Sequence, residues 1–422
     1  MKNLILYLMF FSLIVGCSGA KRSIQKSAQK VFASKFYDNQ FTGFFVINAQ
    51  NKDTLLNFNG EKYFTPASNT KIFTLFTALQ QLPDSIPALK YIQQNDTLFV
   101  EGTGDPTFLH SYFRNNTILD FLKKHENIAI YLDNYKEEKL GAGWAWDDYH
   151  YYYQPETGAF PIFGNVATIN NSGNMNVVPS LFKDSVIAND YQTNRELERN
   201  LFYFSETRKD TIEIPFRTSH TLTKNLLEKA LEKRITISPN KAKGVKKTLY
   251  SVPTDTVLRR MMHESDNFLA EQLLLLSSST FSDTLSGSTS RKSILENQLA
   301  DLKHPPRWVD GSGLSRYNLF TPESMVTVLS KMYKDITQKQ LFSYFPAGGA
   351  SGTLEDWYAG NPNPYIYAKS GSLGNVYCLS GYLRTTSGKI LIFSFMNNHF
   401  QHPPSEVKKQ MELIFEEIRD NY

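Results

Sequence analysis

A serine and a lysine stand three positions apart where an apolar stretch begins. Residues 66–72 read PASNTKI and lead into FTLFTALQQL. A spacing of i, i+3 places Ser68 and Lys71 on one helix face, so the amine can reach the hydroxyl. Apolar residues occupy nearly every side from Ile72 to Leu82, which predicts a buried helix. A poorly solvated lysine loses its charge more easily, and a neutral amine can accept the serine proton. The pair therefore predicts a nucleophilic serine.

This spacing alone is a weak signal, because Ser-x-x-Lys recurs in the chain. The other occurrences lie in polar or tether-like surroundings, where solvated surface residues are expected, and begin at Ser18, Ser23, Ser27, Ser180, Ser238 and Ser405. Ser68 is the occurrence that opens an apolar helix. Evidence for a nucleophile must therefore also come from other motifs.

Two later motifs complete a pattern. Ser265, Asp266 and Asn267 lie between two helical, apolar segments in RRMMHESDNFLAEQLLLL. Lys369-Ser370-Gly371 begins an alternating strand in YAKSGSLGNVYCLSGYL and is the only Lys-Ser/Thr-Gly in the chain. Ser-x-x-Lys at a helix start, Ser-x-Asn between helices and Lys-Ser-Gly on a strand, in this order, form the three-part signature of penicillin-recognising serine enzymes.

The chain resembles the D-alanyl-D-alanine carboxypeptidase and endopeptidase family of class C low-molecular-mass penicillin-binding proteins, the S13 peptidases, from about residue 30 to its end. The segments that carry the resemblance are EGTGDPTF (101–108), GWAWDD (143–148), SDNFLAEQLL (265–274), VDGSGLSRYNLFTP (309–322), AGGASGTLEDW (347–357) and KSGSLGNVYCLSGYL (369–383). The resemblance implies a mixed α/β (α+β) fold of the penicillin-binding and serine β-lactamase-like type, with an antiparallel sheet flanked by helices and an inserted β-rich accessory domain.

The implied activity is that of a serine D-Ala-D-Ala carboxypeptidase, a D,D-endopeptidase, or both, acting on peptidoglycan peptides and acylated by β-lactam antibiotics. Lys71 would take the proton of Ser68, and the backbone N–H groups of Ser68 and Ser372 would hold the oxyanion. Ser265, within reach of both lysines in related folds, would pass the proton to the leaving amine. Asn267 would bind the substrate amide.

The Lys-Ser-Gly motif would anchor the ligand. Lys369 and the Ser370 hydroxyl, beside Gly371, would bind the terminal carboxylate, and the charge of Lys369 would help to keep Lys71 neutral. Asp148 resembles a family position that faces the substrate's side-chain amine, although an exposed turn carboxylate is an equally good interpretation.

The distance between the first two motifs predicts a divided catalytic domain. Positions 68 and 265 are 197 residues apart, further than a minimal penicillin-recognising domain needs. We expect a catalytic domain over 31–91 and 241–422, and an accessory domain over 92–240, where short β-rich runs alternate with turn residues. The Ser/Thr-rich segment 277–293 lacks apolar periodicity, so we expect it to be a mobile segment between two helices of the catalytic domain.

The N-terminus indicates export. A lysine, a short apolar stretch and small residues precede Cys17, and this arrangement is typical of a signal peptide. Ile14-Val15-Gly16-Cys17 resembles a bacterial lipoprotein cleavage box. We expect a signal over 1–17 with lipidation at Cys17, a tether over 18–30, and a lipoprotein on the periplasmic face of the inner or outer membrane. An ordinary secretion signal or a short anchor helix is the alternative. Cys378 is the only other cysteine, so lipidation leaves no intrachain disulfide.

Other chemistries lack support. The +4 charge is spread without a basic block, so we expect no nucleic-acid partner. The segment HESDN (263–267) begins like a zinc-protease motif but has Asn267 where the second histidine ligand is needed. No other group of histidines and cysteines has the spacing of metal ligands, so we expect neither a metal nor a cofactor. We expect His263 to be a packed or surface residue. Two further hypotheses stay open: a serine β-lactamase sharing the motifs, and a lipid-anchored muropeptide-binding sensor or scaffold.

Overall fold

The computed structural model describes residues 19, 21–171 and 173–422, so the predicted signal peptide and Cys17 lie outside the described residues. The helices are α1 (21–32), α2 (Lys71–Gln81), α3 (Thr117–Lys123), α4 (His220–Leu231), α5 (Thr254–His263), α6 (Asn267–Ser279), α7 (Gly287–Glu296), α8 (Pro322–Asp335), α9 (Gln338–Tyr344) and α10 (Pro404–Asn421). The strands are β1 (Phe41–Asn48), β2 (Thr54–Phe58), β3 (Ser85–Gln94), β4 (Thr97–Gly102), β5 (Asn127–Tyr131), β6 (Val166–Asn171), β7 (Met175–Val178), β8 (Val186–Ala188), β9 (Phe202–Phe204), β10 (Ile212–Pro215), β11 (Thr236–Ile237), β12 (Lys247–Pro253), β13 (Ile366–Leu373), β14 (Val376–Arg384) and β15 (Ile390–Asn398).

An antiparallel sheet in the order β13-β14-β15-β1-β2 forms the centre of the catalytic lobe. Its strands carry apolar residues on both faces, because alternate side chains point to opposite sides. Phe45 and Ile47 pack with α2, α5, α6 and α8 on one face. Phe44 and Val46 pack with α1 and α10 on the other. The sheet is therefore buried on both sides, with β13 at its edge.

A second unit interrupts this lobe between α2 and α5. Its main sheet follows the order β11-β5-β4-β3-β12, and smaller sheets pair β10-β6-β7 and β8-β9. The unit has its own apolar core, which includes Leu89, Ile130, Ile169, Phe204 and Leu227. It is a packed, strand-rich insertion.

The limits predicted for the insertion are too narrow. The boundary at 91/92 cuts β3, and β12 lies beyond the boundary at 240. These strands pair with each other in an antiparallel register that includes Lys247 opposite Tyr91. The insertion therefore runs from about Ser85 to Pro253.

The predicted tether over 18–30 is wrong for residues 21–30, which form most of α1. Ile24, Ala28 and Phe32 recur every four residues and are buried in the core beneath the sheet. The Ser27 hydroxyl donates to Glu417 of α10 over 2.6 Å. This segment is part of the catalytic lobe.

The prediction that residues 277–293 form a mobile segment is also wrong. The first residues of this segment end α6, and those from Gly287 onward belong to α7. The hydroxyls of Ser278 and Ser279 donate to the carbonyls of Leu275 and Leu276, each over 2.6 Å. Because these hydroxyls are satisfied within the helix, the serines can be buried.

Among the described residues, none of the helices combines the length and apolar character needed to span a bilayer.

The packing of α1 can be measured by truncating Phe32. This side chain is 7% exposed, and its ring stacks on Phe58 at a centroid distance of 4.3 Å. Phe32→Ala should lower the free energy of unfolding by about 3 kcal/mol or more in a urea titration, because it opens a cavity in the core. Phe41→Ala is the matched control, since Phe41 is 67% exposed. Equal, small effects at both positions would contradict the assignment of α1 to the core.

Candidate active site

Ser68 lies in a tight turn at the start of α2. Residues Ala67–Thr70 form a single 3₁₀ turn that leads directly into the helix. Ala67 adopts a left-handed backbone with φ of 49°, and Gly313 packs against it so closely that a Cβ there would stand 1.8 Å from the Ala67 carbonyl oxygen. The loop that contains Gly313 thus fixes the turn, and Ser68 remains half-buried and open to the cleft.

The amine of Lys71 is completely buried beneath Ser68 and touches three polar groups. Nζ lies 3.0 Å from the Ser68 hydroxyl, 2.7 Å from Oδ1 of Asn267 and 2.7 Å from the carbonyl oxygen of Ser312. A neutral amine has two N–H donors and one lone pair. The Asn267 and Ser312 oxygens can accept both N–H groups, which leaves the lone pair directed at the serine proton.

Burial also favours the neutral amine. Desolvation lowers the pKa of Lys71 to about 8, although the carboxylates of Asp310, Glu271 and Asp266 act in the opposite direction. Near neutral pH, a minority of Lys71 side chains is therefore neutral and can act as a base. The predicted pairing of Ser68 and Lys71 is present in the structure.

The Ser265–Asn267 motif lies at the junction of α5 and α6, and Asn267 is the first residue of α6. Ser265 takes a left-handed backbone with φ of 57°, and the Asp266 carboxylate caps α6 by accepting from the Leu269 N–H over 3.0 Å. Asn267 donates through Nδ2 to the Tyr153 carbonyl over 3.0 Å. The inserted unit therefore helps to hold a residue that contacts Lys71.

The second lysine lies opposite, on the edge strand β13. Nζ of Lys369 donates to the Ser265 hydroxyl over 2.9 Å and to the Ser370 carbonyl over 2.8 Å. Of the two lysines, Lys369 is the one that bonds Ser265. Burial lowers the pKa of Lys369 well below its ordinary value, and repulsion from Lys71 adds to this effect. A cationic Lys369, as predicted, thus requires a counter-charge, which a ligand carboxylate can supply.

Gly371 permits the close approach of β13 to the serine turn. A Cβ at this position would stand 2.6 Å from the Pro66 carbonyl oxygen and 2.8 Å from the Ser68 nitrogen. The Ser370 hydroxyl donates to Thr353 over 2.7 Å, and Ser372 is exposed in the cleft. Gly371 was predicted to bind the substrate. In the structure, its lack of a side chain leaves room for β13 to lie against the serine turn.

Glu271 is a half-buried carboxylate that belongs to none of the three motifs. It lies one turn after Asn267 on α6, and its two carboxylate oxygens accept from the N–H groups of Gly311 and Ser312, each over 2.8 Å. The Ser312 carbonyl in turn accepts from Lys71. Burial raises the pKa of Glu271 to about 7, and nearby Asp310 adds to this effect. An acidic residue within the apolar run FLAEQLLLL was the available sequence signal.

Most of the predicted site residues lie around one cleft of about 760 Å³. The predicted site residues that line it are Ser68, Asp148, Ser265, Asn267, Ser370 and Ser372. Lys71 and Lys369 are buried beneath its surface. The ring of His263 instead lies against the Ser343 carbonyl at 3.2 Å, outside the cleft lining, as expected for a packed residue.

Among the described residues, Glu61, His304 and Glu323 form the one group whose ligand atoms could converge on a metal ion. Lys303 already pairs with Glu323 at 2.9 Å and disfavours a further cation there. This group lies outside the lining of the cleft.

Sequence comparisons identify related proteins across nearly the whole chain. The profile of the D-Ala-D-Ala carboxypeptidase 3 (S13) family matches residues 25–195 and 205–418. The D-alanyl-D-alanine carboxypeptidase DacB of Haemophilus influenzae is 26% identical over 439 aligned residues, covering 90% of this chain and 90% of that protein. The profile match begins within α1, in agreement with the packing of that helix.

Solved structures share the fold. Penicillin binding protein 4 (dacB) from Haemophilus influenzae matches with a TM-score of 0.71 at 20% identity, covering 92% of this chain and 97% of that one. A second structure of that protein is a complex with a β-lactam, and matches with a TM-score of 0.68. The predatory peptidoglycan endopeptidase Bd3459 from Bdellovibrio bacteriovorus matches with a TM-score of 0.52 at 17% identity, covering 90% and 92% of the two chains. The predicted fold class is confirmed.

The link from Glu271 to Lys71 can be tested by Glu271→Gln. The glutamine oxygen can accept a hydrogen bond from only one of the Gly311 and Ser312 N–H groups. The glutamine NH₂ would face the other N–H group, and because two donors repel each other, this backbone would shift and move the Ser312 carbonyl away from Lys71. We expect the limiting rate of Ser68 acylation by a β-lactam to fall about 10- to 100-fold, with little change in initial binding. Stopped-flow measurement over a range of β-lactam concentrations separates the two quantities.

Glu296→Gln, on the exposed surface of α7, is the matched control and should acylate at the wild-type rate. A folded Glu271→Gln protein with unchanged acylation would show that Glu271 does not position Lys71.

Proposed function

This chain belongs to the D-Ala-D-Ala carboxypeptidase 3 (S13) family, and we propose that its serine carboxypeptidase activity proceeds through an acyl-enzyme on Ser68. The observation that carries this proposal is the 3.0 Å contact between the Ser68 hydroxyl and the buried Lys71 amine. The substrate class is the peptidoglycan stem peptide ending in D-Ala-D-Ala, and β-lactams acylate the same serine. The names of the Haemophilus influenzae relatives support both assignments.

In the first half of the reaction, Lys71 takes the Ser68 proton as the serine oxygen attacks the carbonyl of the penultimate D-alanine. The tetrahedral oxyanion is stabilised by the backbone N–H groups of Ser68 and Ser372. The close approach of Gly371 to the serine turn supports this arrangement, because it brings the two backbone segments together.

The proton must then reach the leaving amine. The Ser265 hydroxyl lines the same cleft, where Lys369 holds its oxygen at 2.9 Å. It would give its own proton to the leaving amine, and the Lys71 ammonium would return a proton to the Ser265 oxygen. Collapse of the tetrahedral intermediate breaks the C–N bond and releases D-alanine. Water then attacks the ester carbon as Lys71 accepts the water proton. Collapse of this second tetrahedral intermediate breaks the bond to the Ser68 oxygen, and Lys71 returns the proton to that oxygen, which regenerates the hydroxyl.

Recognition of the substrate uses groups around the nucleophile. Lys369 and Ser370 bind the terminal carboxylate, which supplies the counter-charge that the buried ammonium needs. Asn267 binds the substrate amide through its remaining N–H. Asp148 lines the cleft and is suited to a side-chain amine of the stem peptide. A cross-link places an acylated amine at the same position as the leaving D-alanine, so D,D-endopeptidase activity would use the same steps.

The activity can be tested with a fluorescent penicillin and a stem pentapeptide. We expect a covalent adduct at Ser68, located by peptide mapping, and release of D-alanine that a slowly hydrolysed penicillin inhibits. Ser68→Ala should lose both activities. Rapid turnover of penicillin without D-alanine release would indicate a β-lactamase instead, and non-covalent muropeptide binding without an adduct would indicate a sensor.

The two lysines should respond differently to arginine. Lys71→Arg installs a cation that does not deprotonate, so the limiting acylation rate should fall about 100-fold or more while binding persists. Lys369→Arg preserves the charge and should retain partial acylation, whereas Lys369→Gln should weaken binding by about 1.5 to 3 kcal/mol. The measurement is the acylation rate against penicillin concentration. Equal losses in the limiting rate at both positions would contradict this division of roles.

We also propose that the protein is an exported lipoprotein anchored through Cys17 at the periplasmic face of a membrane. The signal-like sequence over 1–17 supports this location. Because α1 is already helical at residue 21, the connection from Cys17 to the folded lobe extends at most about 14 Å. The catalytic lobe would then work close to the lipid surface.

Replacing the lipidation site tests the anchor. Cys17→Ser should move the protein from the detergent phase to the aqueous phase after phase separation, because a lipid can no longer be attached to the thiol. Cys378→Ser is the control and should partition as the wild type does, since Cys378 is buried in the fold. A Cys17→Ser protein that still enters the detergent phase would refute the anchor.

A further inference from the structure

A second cavity opens on the inserted unit beside the catalytic cleft. It measures about 540 Å³, and its lining includes Tyr151, Tyr152, Gln192, Asn194 and Glu213. Tyr152 and Glu213 also line the cleft, so the two cavities meet at these side chains. We call the second cavity the tyrosine groove. It is continuous with the substrate site but lies on the inserted unit.

The groove presents aromatic rings that are exposed yet held in place. Tyr152 is 67% exposed and Tyr151 is 41% exposed. The Tyr151 ring packs at 4.1 Å from the His150 ring and stacks on Tyr153 at 5.5 Å. The imidazole of His150 accepts from the Asn194 N–H over 3.2 Å, which joins this segment to the opposite wall. Contacts with neighbouring rings therefore hold Tyr151 in place, while its exposed surface stays open to a ligand.

The segment is also tied to the catalytic centre. The Tyr153 carbonyl accepts from Asn267, and Asn267 contacts Lys71. Two residues of backbone thus connect Tyr151 to the network around the nucleophile. A ligand that occupies the groove would have a fixed position relative to Ser68.

The chemistry of the groove suits a polar, non-anionic ligand with hydrogen-bond donors and flat C–H surfaces, because the Glu213 side chain also lines it. Aromatic faces pack against such surfaces, and the amides of Gln192 and Asn194 can pair with hydroxyl and acetamido groups. Arg208, the cation in the lining, is engaged by Asp210 at 2.8 Å and 3.0 Å. Among the described lining residues, no unpaired cation favours an anionic ligand.

We propose that the tyrosine groove binds the amino-sugar glycan to which the stem peptide is attached. This inference rests on the proposed function, because the glycan is part of the same substrate. The four residues between the sugar and the scissile bond span up to about 14 Å when extended. The cleft that holds Ser68 shares Tyr152 and Glu213 with the groove, so a peptide whose end is held at Ser68 has a continuous path toward the groove.

The experiment compares one stem pentapeptide in two forms, free and attached to its GlcNAc-MurNAc disaccharide. The readout is kcat/KM for D-alanine release from each. Wild-type protein should prefer the disaccharide form. Tyr151→Ala and Gln192→Ala should each reduce this preference about fivefold, since each removes one contact to the sugar. Tyr151→Phe should keep the preference, because the ring remains.

Tyr250→Ala is the matched control, since Tyr250 is 47% exposed and lies on β12, outside the groove lining. It should keep the wild-type preference. Equal kcat/KM for the two forms in the wild type, or equal losses on both forms in the groove variants, would overturn the inference while leaving the carboxypeptidase intact. Failure of wild-type protein to cleave either form or to react with penicillin would overturn the proposed function as well.

Discussion

The buried amine of Lys71 sets the main constraint on this structure. A charged ammonium without exposure to water is costly, whereas a neutral amine with two hydrogen-bond acceptors is not. Asn267 and Ser312 supply those acceptors at 2.7 Å each. The lone pair is then left for Ser68, so the same contacts that make burial tolerable also prepare the serine for attack.

The elements around this amine come from distant parts of the chain. Helix α6 contributes Asn267 directly, and one turn later Glu271 orients the backbone of Ser312. Gly313 and Gly371 let a loop and strand β13 approach the serine turn more closely than a side chain would permit. The inserted unit contributes the carbonyl of Tyr153. It is therefore part of the site as well as a neighbour of it.

The three motifs were predictable because each combines particular residue types with a local structural setting. Ser68 and Lys71 are joined by helical spacing alone, and the two lie 3.0 Å apart. The contact between Lys369 and Ser265 spans 104 positions and could be expected only from the family resemblance. The position of Glu271 within an apolar run marks it as unusual, but its role could not be predicted, because it acts through the backbone N–H groups of Gly311 and Ser312.

The errors of the sequence analysis have physical causes. Residues 18–30 look like a polar tether, yet Ile24, Ala28 and Phe32 repeat at helical spacing and become buried once α10 covers them. Ser278 and Ser279 appear unsuited to a core, but their hydroxyls bond to carbonyls in the preceding turn. The limits of the insertion depend on the pairing of β3 with β12, which composition does not reveal.

The central claim is that Lys71, in its neutral form, is the base that activates Ser68. The most direct test is the limiting rate of acylation by a β-lactam from about pH 6 to about pH 10, in the wild type and in Lys71→Arg. Because burial lowers the pKa of Lys71 to about 8, the wild-type rate should rise as pH increases through this region and then level off. The Lys71→Arg rate should be low and lack this rise. A wild-type rate that is independent of pH, or a Lys71→Arg profile with the same rise, would contradict the account.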